Sequence, residues 1–353
     1  VSQVQRIAEQ IHASIAIPFH LEGREVFTTT SIGIVIGGNS PTTTTTHYDR
    51  PEDFLRAADT AMYYAKRRGK GNTAIFDASM HTHALARLQL EADLRRAIER
   101  QELVLHYQPI VSLLTGQLTG YEALVRWNHP QMGLVSPGDF IPAAEETGLI
   151  LPLGTWVLGE ACRQLAKWES QFPSAHSLTM SVNLAGLQLV QPNLIEQIDQ
   201  ILQETGLEGN RLKLELTETI FMEIAEAAPA VLEQLKARKI QLSIDDFGTG
   251  YSSLSRLHQW PLDTLKIDRS FVSRLNLGNE SSELVRTIVT LAHNLGLEVI
   301  AEGVETAEQV YQLQGLNCQC GQGNFLSKPL DSEAAANWIK KQLTTHPRMG
   351  HCS

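Results

Sequence analysis

Residues able to do chemistry recur at one kind of place in this chain, the polar end of a short apolar run. The runs close on Glu122 and Arg126, then Asn183, then Glu215 and Glu218, then the pair Asp245-Asp246. Lys266 and Asp268 follow, then Glu302 and Glu305, and last Gln322. One acidic residue in such a place is ordinarily a helix cap or a solvated loop group. Seven successive runs ending this way need another cause. Glu122, Glu215, Asp245, Asp246 and Glu302 set five carboxylates against the single ammonium of Lys266. Carboxylates crowded without compensation repel one another. Two divalent cations would remove the excess. The candidate ligands are oxygen donors with no His or Cys among them, which favours Mg²⁺ or Mn²⁺ over zinc. Two such ions about 3.5–4 Å apart suit phosphodiester hydrolysis, because they acidify a bound water and hold the attacking and leaving oxygens in line. Lys266 would then orient that water or offset phosphate charge. Arg126 reads either as a grip on a phosphate oxygen or as half of a structural salt bridge.

Adjacent residues in a regular strand point to opposite faces. Asp245 and Asp246 therefore need a distortion if both are to reach the cations, and Gly248 is where it is expected, with Asp245 bridging. The segment Asp246 to Ser253 holds Gly248 and Gly250, which tolerate backbone angles other residues resist. It reads as a mobile active-site loop or as a tight strand-to-helix turn, with Glu218 near enough to anchor it.

The elements that would position these residues alternate strand and helix from residue 103 onward. Eight strand candidates lie at 103–111, 118–127, 178–185, 211–218, 241–246, 264–268, 298–303 and 320–326. Helical patterns fill most of the gaps, at 153–170, 192–205, 226–238, 279–296, 306–315 and 331–343. That is the size and order of a (β/α)8 barrel, in which late strand positions converge on one catalytic face. The turn at Leu114 to Gln117 is too short for a helical crossover, so the first two strands should form an antiparallel hairpin and the barrel should be irregular there.

The first 83 residues read as a separate α+β segment. An amphipathic helix should bury Val1, Val4, Ile7, Ala8, Ile11 and Ile15. A strand pair should follow at Pro18–Phe27 and Thr28–Ile36, then a threonine-rich loop at Pro41 to Thr46. A helix at Pro51 to Arg68 should turn Phe54, Leu55, Ala58, Ala61, Met62 and Ala65 inward. The basic residues at its end are the ordinary C-terminal signal. Residues 73–77 should be a short strand, and Leu85 to Arg100 a connecting helix.

Composition narrows the function further. The chain has 353 residues and a net charge of −10. Residues 1–83 are balanced, so the whole excess falls on residues 84–353. An acidic domain is a poor partner for long nucleic acid or an anionic membrane surface. It can bind a small anionic substrate if cations sit between. No apolar stretch reaches the ~18 residues of a membrane span, and no signal segment opens the chain. Four cysteines, Cys162, Cys318, Cys320 and Cys352, are too few and too unevenly spaced for a disulfide framework. A reducing cytoplasm is the expected setting.

Taken together, the motifs resemble those of the EAL-domain family of cyclic di-GMP phosphodiesterases. They are EALVRWNHP (Glu122 to Pro130), GLVSPGDFIPAAEETGLI (Gly133 to Ile150), SVNLAGLQL (Ser181 to Leu189), LELTET (Leu214 to Thr219), DDFGTGYSSL (Asp245 to Leu254), LKIDRSFV (Leu265 to Val272), AEGVE (Ala301 to Glu305) and QGNFLSKP (Gln322 to Pro329). The resemblance covers about residues 86–345. It implies an irregular (β/α)8 TIM-like barrel that hydrolyses cyclic di-GMP to linear 5′-pGpG with two Mg²⁺ or Mn²⁺ ions. It implies that Glu122, Asn183, Glu215 and Asp245 hold one ion, and that Asp245, Asp246 and Glu302 hold or approach the second. Lys266 and Glu302 would position or activate water, and which of them is the general base stays open. Gln322 would sit near that water, with Gln108, Leu124, Arg126 and Asp268 on the substrate side. Glu218 and Glu305 would support the loop at 247–253. A homodimer through the barrel is implied as well. The family often has an aromatic residue where this chain has Asn324, a departure that touches one substrate-side or packing contact and leaves the metal ligands intact.

Residues 28–77 are similar to the C-terminal half of a GGDEF diguanylate cyclase domain, in TTTSIGIVIG (Thr28 to Gly37) and RAADTAMYYAKRRGKGNTAIFD (Arg56 to Asp77). The signature that gives that family its name precedes these segments, so no cyclase activity is expected from residues 1–83. The division expected is therefore 1–83 for the partial GGDEF-like segment, 84–345 for the EAL domain and 346–353 for a tail. The chain is expected to belong to a longer protein, with an upstream sensory module or membrane tether. The competing reading from another class is a receptor that binds cyclic di-GMP without cutting it. The presence of Glu122, Asn183, Glu215, Asp245, Asp246, Lys266 and Glu302 favours the enzyme. A barrel enzyme acting on sugar phosphates is a third reading, disfavoured by the ordered motifs.

Overall fold

A computed structural model describes residues 2–21, 24–37, 50–67, 71–173, 177–224, 229–249, 257–258, 260–275 and 279–345. The threonine-rich loop, the end of the basic run after Arg67, most of the Gly-rich segment after Thr249 and the tail from residue 346 lie outside these residues. The chain divides into two units, Val1–Asp93 and Leu94–Ser353.

In the first unit, helix α1 (Ser2–Ile15) precedes a hairpin of β1 (Phe19–Leu21) and β2 (Arg24–Val26). Strand β3 (Ile32–Ile34) pairs in parallel with β4 (Thr73–Ile75) across helix α2 (Pro51–Arg67). The strand pair expected between residues 18–27 and 28–36 does not form. The hairpin closes inside the first run, and the second run finds its partner beyond α2. Gly33 allows this packing, because a Cβ there would lie 2.0 Å from the Ala58 carbonyl oxygen of α2. The core is small: Ala61, Ala65 and Ala74, flanked by Tyr64, Phe76 and Met80. Of the residues expected to face inward, Ile7, Ile11, Leu55 and Met62 are exposed. The two residue triplets of parallel sheet pack against α2 and cover only one stripe of it. Helix α3 (Ala78–Glu99) leads into the second unit.

There the apolar runs become strands of one closed sheet. They are β5 (Leu103–Ser112), β6 (Leu118–His129), β8 (Thr179–Asn183), β9 (Leu212–Thr217), β10 (Gln241–Phe247), β11 (Thr264–Ile267), β12 (Glu298–Ala301) and β13 (Cys320–Gly321). Strand β5 runs antiparallel to both of its neighbours, β6 and β13, and every other neighbouring pair in the ring is parallel. The expected first hairpin is present, and β5 closes the ring against β13. A short strand β7 (Gly133–Val135), not foreseen from sequence, extends β6 as an antiparallel flap. Strands β9 and β11 are buried almost throughout, as parallel strands covered on both faces are.

Two helices pack beside the first strands. Helix α4 (Pro137–Thr147) was also missed in the sequence, although Ser136-Pro137 and Gly148 bracket it with a common start and stop. Helix α5 (Ile150–Gln171) places Trp168 edge-on to Tyr107 of β5, with ring centres 4.9 Å apart, and 5.0 Å from Tyr121 of β6. The Tyr121 hydroxyl donates to the Ala335 carbonyl at 2.9 Å and ties the helix Ser332–Thr345 to the same strands. At the N-terminal ends of the strands, buried Lys213 donates to Glu298 at 2.9 Å. The barrel therefore carries an ion pair, buried on its lysine side and open on its glutamate side, at the end opposite the candidate site. Cys162, Cys318 and Cys320 are buried free thiols, and burial pushes each up to about 12, so none is a ready nucleophile. Among the described residues, no helix is long and apolar enough to cross a membrane.

Removing the buried Tyr121 hydroxyl should loosen the last helix without disturbing the aromatic packing. Tyr121→Phe is expected to lower the urea midpoint by the equivalent of about 1 kcal/mol with an unchanged slope. An unchanged midpoint would show that this hydrogen bond contributes nothing to holding the last helix on the barrel.

Candidate active site

The centre of the site is an ammonium group. Lys266 lies on β11 and has no exposed surface. Its Nζ reaches Glu302 at 2.6 Å, Glu215 at 2.7 Å, Glu122 at 3.2 Å and Asp245 at 3.4 Å. These partners come from β6, β9, β10 and the end of β12, so the barrel geometry alone assembles them. A buried lysine is tolerable only when it is paired this way. The four carboxylates hold its pKa well above the ordinary range despite the burial that opposes them.

The strand distortion is present, but not where it was expected. Ile244 pairs with Leu265 and Phe247 with Ile267, so Asp245 and Asp246 together stand opposite Lys266. This is a β-bulge, one extra residue on one strand. Asp246 itself takes the left-handed conformation, φ 54°, which aspartate tolerates better than most residues. Its N–H donates to Asp245 Oδ1 at 3.0 Å. The bulge brings both carboxylates toward Glu302, and one oxygen from each of the three lies within 4.8 Å of the others. Gly248 is needed for a different reason. It has φ 97°, and a Cβ there would meet the Phe271 ring at 2.7 Å.

Amides complete the ring. Glu122 accepts from Asn183 Nδ2 at 2.7 Å on one oxygen and from Gln322 Nε2 at 2.7 Å on the other. Gln322 also donates to Gln108 Oε1 at 2.9 Å, and Gln108 donates to the Ser327 carbonyl at 3.1 Å. Glu215 Oε1 and Gln322 Oε1 are buried without any hydrogen-bond partner. An orphaned carboxylate oxygen in an all-oxygen cluster is what a hard divalent cation would satisfy. The residues present therefore fit such an ion.

Burial and crowding set the charges. Glu122 is held below the usual carboxylate range: burial would raise it, but Lys266, Gln322 and Asn183 outweigh that. Burial pushes Glu215 up to about 7, against the pull of Lys266. Burial, with Asp245 and Asp268 beside it, pushes Asp246 up to about 6. Glu302 is raised well above its ordinary value, chiefly by burial.

The remaining expected residues are less tightly gathered. Glu218 is buried and accepts from the Gly248 N–H at 2.8 Å, so it anchors the start of the Gly-rich segment. Asp268 caps the helical turn Arg269–Val272 through Ser270 N–H at 3.0 Å and lies beside Asp246. Arg126 turns Nη1 back to the Val125 carbonyl at 2.8 Å, with Glu122 as its electrostatic neighbour rather than a salt-bridge partner. Glu305 is exposed, and most of the loop it was expected to support lies outside the described residues. Leu124 borders a cavity of ≈ 290 Å³ that opens beside Asn183 and Glu215. The side of that cavity formed by Glu145, Leu153 and Gln188 was not foreseen.

A barrel of this topology, with oxygen donors for a divalent cation at the C-terminal ends of its strands, defines the class of the protein. More narrowly, the chain belongs to the EAL-domain family, whose model matches residues 91–329. The diguanylate cyclase GGDEF domain model matches residues 1–72. The bifunctional diguanylate cyclase/cyclic di-GMP phosphodiesterase MucR of Pseudomonas aeruginosa is 42% identical over 93% of this chain and 46% of its own length. The cyclic di-GMP phosphodiesterase PdeR of Escherichia coli is 39% identical over 97% of this chain and 50% of its own length. The chain thus spans about half the length of these relatives. The MucR phosphodiesterase in complex with c-di-GMP aligns with a TM-score of 0.67 and 45% identity, over 70% of this chain and 99% of that one.

The raised carboxyls predict a coupling between pH and cation binding. The folded ring keeps protons that an unfolded chain has released, so without added metal the fold should lose stability as pH rises from about 5 to about 8. Divalent cations must displace those protons. Mg²⁺ or Mn²⁺ should therefore raise the melting temperature more at pH 8 than at pH 6, as read by scanning calorimetry. An equal rise at both pH values would contradict the proton-holding ring.

Proposed function

We propose that this chain opens cyclic di-GMP with water to give linear 5′-pGpG, assisted by two Mg²⁺ or Mn²⁺ ions. One observation carries the reading: Glu122, Glu215, Asp245 and Glu302 gather about Lys266, with Asp246 bulged toward them. The family match and the named activities of the relatives agree with it. Glu122, Asn183, Glu215 and Asp245 would hold one ion, and Asp245, Asp246 and Glu302 the second. Bound there, the ions would acidify a water and offset the charge of the phosphate.

The product keeps its phosphate on the 5′ oxygen. Water oxygen therefore bonds to phosphorus as the P–O3′ bond breaks, and the 3′ oxygen leaves and takes up a proton. Lys266, surrounded by carboxylates, stays an ammonium and donates hydrogen bonds to the water or a phosphate oxygen. The role of general base then falls to Glu302, its 2.6 Å partner. Gln322 and Asn183 fix the two oxygens of Glu122 and so its orientation. Gln108, Leu124, Arg126 and Asp268 would lie along the substrate. Glu218 holds the start of the loop after β10 through Gly248, and Glu305 would act with it. The reading places the chain in the cytoplasm, acting as a homodimer through the barrel.

Incubation of the purified chain with cyclic di-GMP and Mg²⁺, followed by chromatography, should show 5′-pGpG. Glu122→Ala should reduce the rate at least about 100-fold. Substrate bound but never cleaved would sink the enzyme reading and leave a receptor. Ca²⁺ is larger and takes longer, looser coordination, so it should support binding while turnover falls to a small fraction of the Mg²⁺ rate.

A further inference from the structure

The interior face of β5 carries a basic side chain that the carboxylate ring does not use. Along β5, Leu103, Leu105 and Tyr107 are buried, and Tyr107 packs on Trp168 of α5. These residues face the outer helices, so Val104, His106 and Gln108 face the barrel interior. Gln108 is joined to the ring through Gln322. Strand β5 runs against both neighbours, so its first residues stand at the mouth of the site, where the other strands end. His106 is two residues nearer the mouth than Gln108, about 7 Å along the strand. The register sets it opposite Leu124, with Glu122 on one diagonal and Arg126 on the other.

Glu122 is already engaged with Lys266, Asn183 and Gln322. The charged groups acting on the imidazole are Arg126 of β6 and Asp331, just before the last helix. Burial, then Arg126, lowers the His106 pKa, and Asp331 opposes them. An imidazole set beside a guanidinium gains nothing from it as an ion-pair partner. An anion arriving between the two would reverse that effect and draw a proton onto the ring of His106. A cyclic dinucleotide brings two phosphodiesters. The carboxylate ring and its ions take the one that is cut, and the other lies a nucleotide away. Toward the mouth along β5 and β6, that second phosphate meets His106 and Arg126.

We propose that His106, together with Arg126, binds the phosphate that is not cut and so holds the dinucleotide in place on the ring. This rests on the reading above that the chain acts on cyclic di-GMP, and it adds a binding residue on the wall formed by β5. The second phosphate is unchanged by the reaction. A contact to it is therefore the same in the bound substrate and in the transition state. Its loss should weaken binding and spare the chemical step.

The test compares wild type, His106→Ala and His106→Gln with cyclic di-GMP, first by kinetics in Mg²⁺ and then by calorimetric binding in Ca²⁺. His106→Ala should raise KM about tenfold with kcat within about twofold. His106→Gln keeps a donor and should recover part of the affinity. The advantage of wild type over His106→Gln should shrink as pH rises from about 6 to about 8, because only the imidazole takes up a proton. Titration of the carboxylate ring affects both proteins and drops out of that ratio. In the Ca²⁺ complex the two phosphates are no longer equivalent, and ³¹P NMR should show His106→Ala shifting one resonance and not the other. A fall in kcat with unchanged KM would show a role other than binding and overturn the proposal. So would a ratio independent of pH, or phosphorus resonances that His106→Ala leaves in place. If wild type binds cyclic di-GMP without cleaving it, the hydrolytic reading fails alone, and the calorimetry in Ca²⁺ still decides the role of His106.

Discussion

The constraint on which the second unit depends is the burial of the Lys266 ammonium among carboxylates. A lone buried lysine would cost several kcal/mol and a lone buried glutamate as much. Neither is tolerable until strands far apart in sequence have been brought together. Glu122 is separated from Lys266 by 144 positions and Glu215 by 51. The ring is therefore a product of the closed barrel and gives nothing to a partly formed one. It also explains why the apolar packing around Trp168, Tyr107 and Tyr121 has to be so complete, since that packing supplies the stability which the polar interior does not.

The same ring shows how one backbone irregularity can serve chemistry. A regular β10 would direct one of Asp245 and Asp246 away from the barrel interior. The bulge lets two β10 residues share the space opposite one β11 residue, and the twist falls on an aspartate able to hold φ 54°. Left-handed backbone at a non-glycine residue is a strained choice. Here the strain stands where a second oxygen donor is wanted beside the first.

Much of this was legible in the sequence because the informative residues sit at strand ends, where one polar side chain after a run of buried aliphatics is conspicuous. Eight strands, their order and the antiparallel first pair all follow from run length and from the short turn at 114–117. The position of the bulge was not legible. Gly248 looked like the natural distortion, and only the pairing of Phe247 with Ile267 places it at Asp246. Strand β7 is three residues long and carries no pattern of its own. In the first unit, periodicity marked Ile7, Ile11, Leu55 and Met62 as core, yet periodicity reports only that a helix has an apolar face and not whether anything covers it. The cavity wall at Glu145 escaped because α4 was read through its resemblance and not as an element with its own start and stop signals.

The seam between β13 and β5 is as short as any pairing in the ring, two residues of β13 against Ser112 and Val111, matched only by the two-residue pairing of β13 with β12. It is reinforced just beyond by paired backbone bonds between Tyr107 and Leu330, at 2.7 and 2.9 Å. Gln322, which fixes Glu122, comes directly after that seam. During synthesis every carboxylate of the ring, up to Glu302, emerges from the ribosome before the segment that closes the barrel. A nascent chain stopped short of Cys320 thus carries all the ring carboxylates but no closed barrel to gather them.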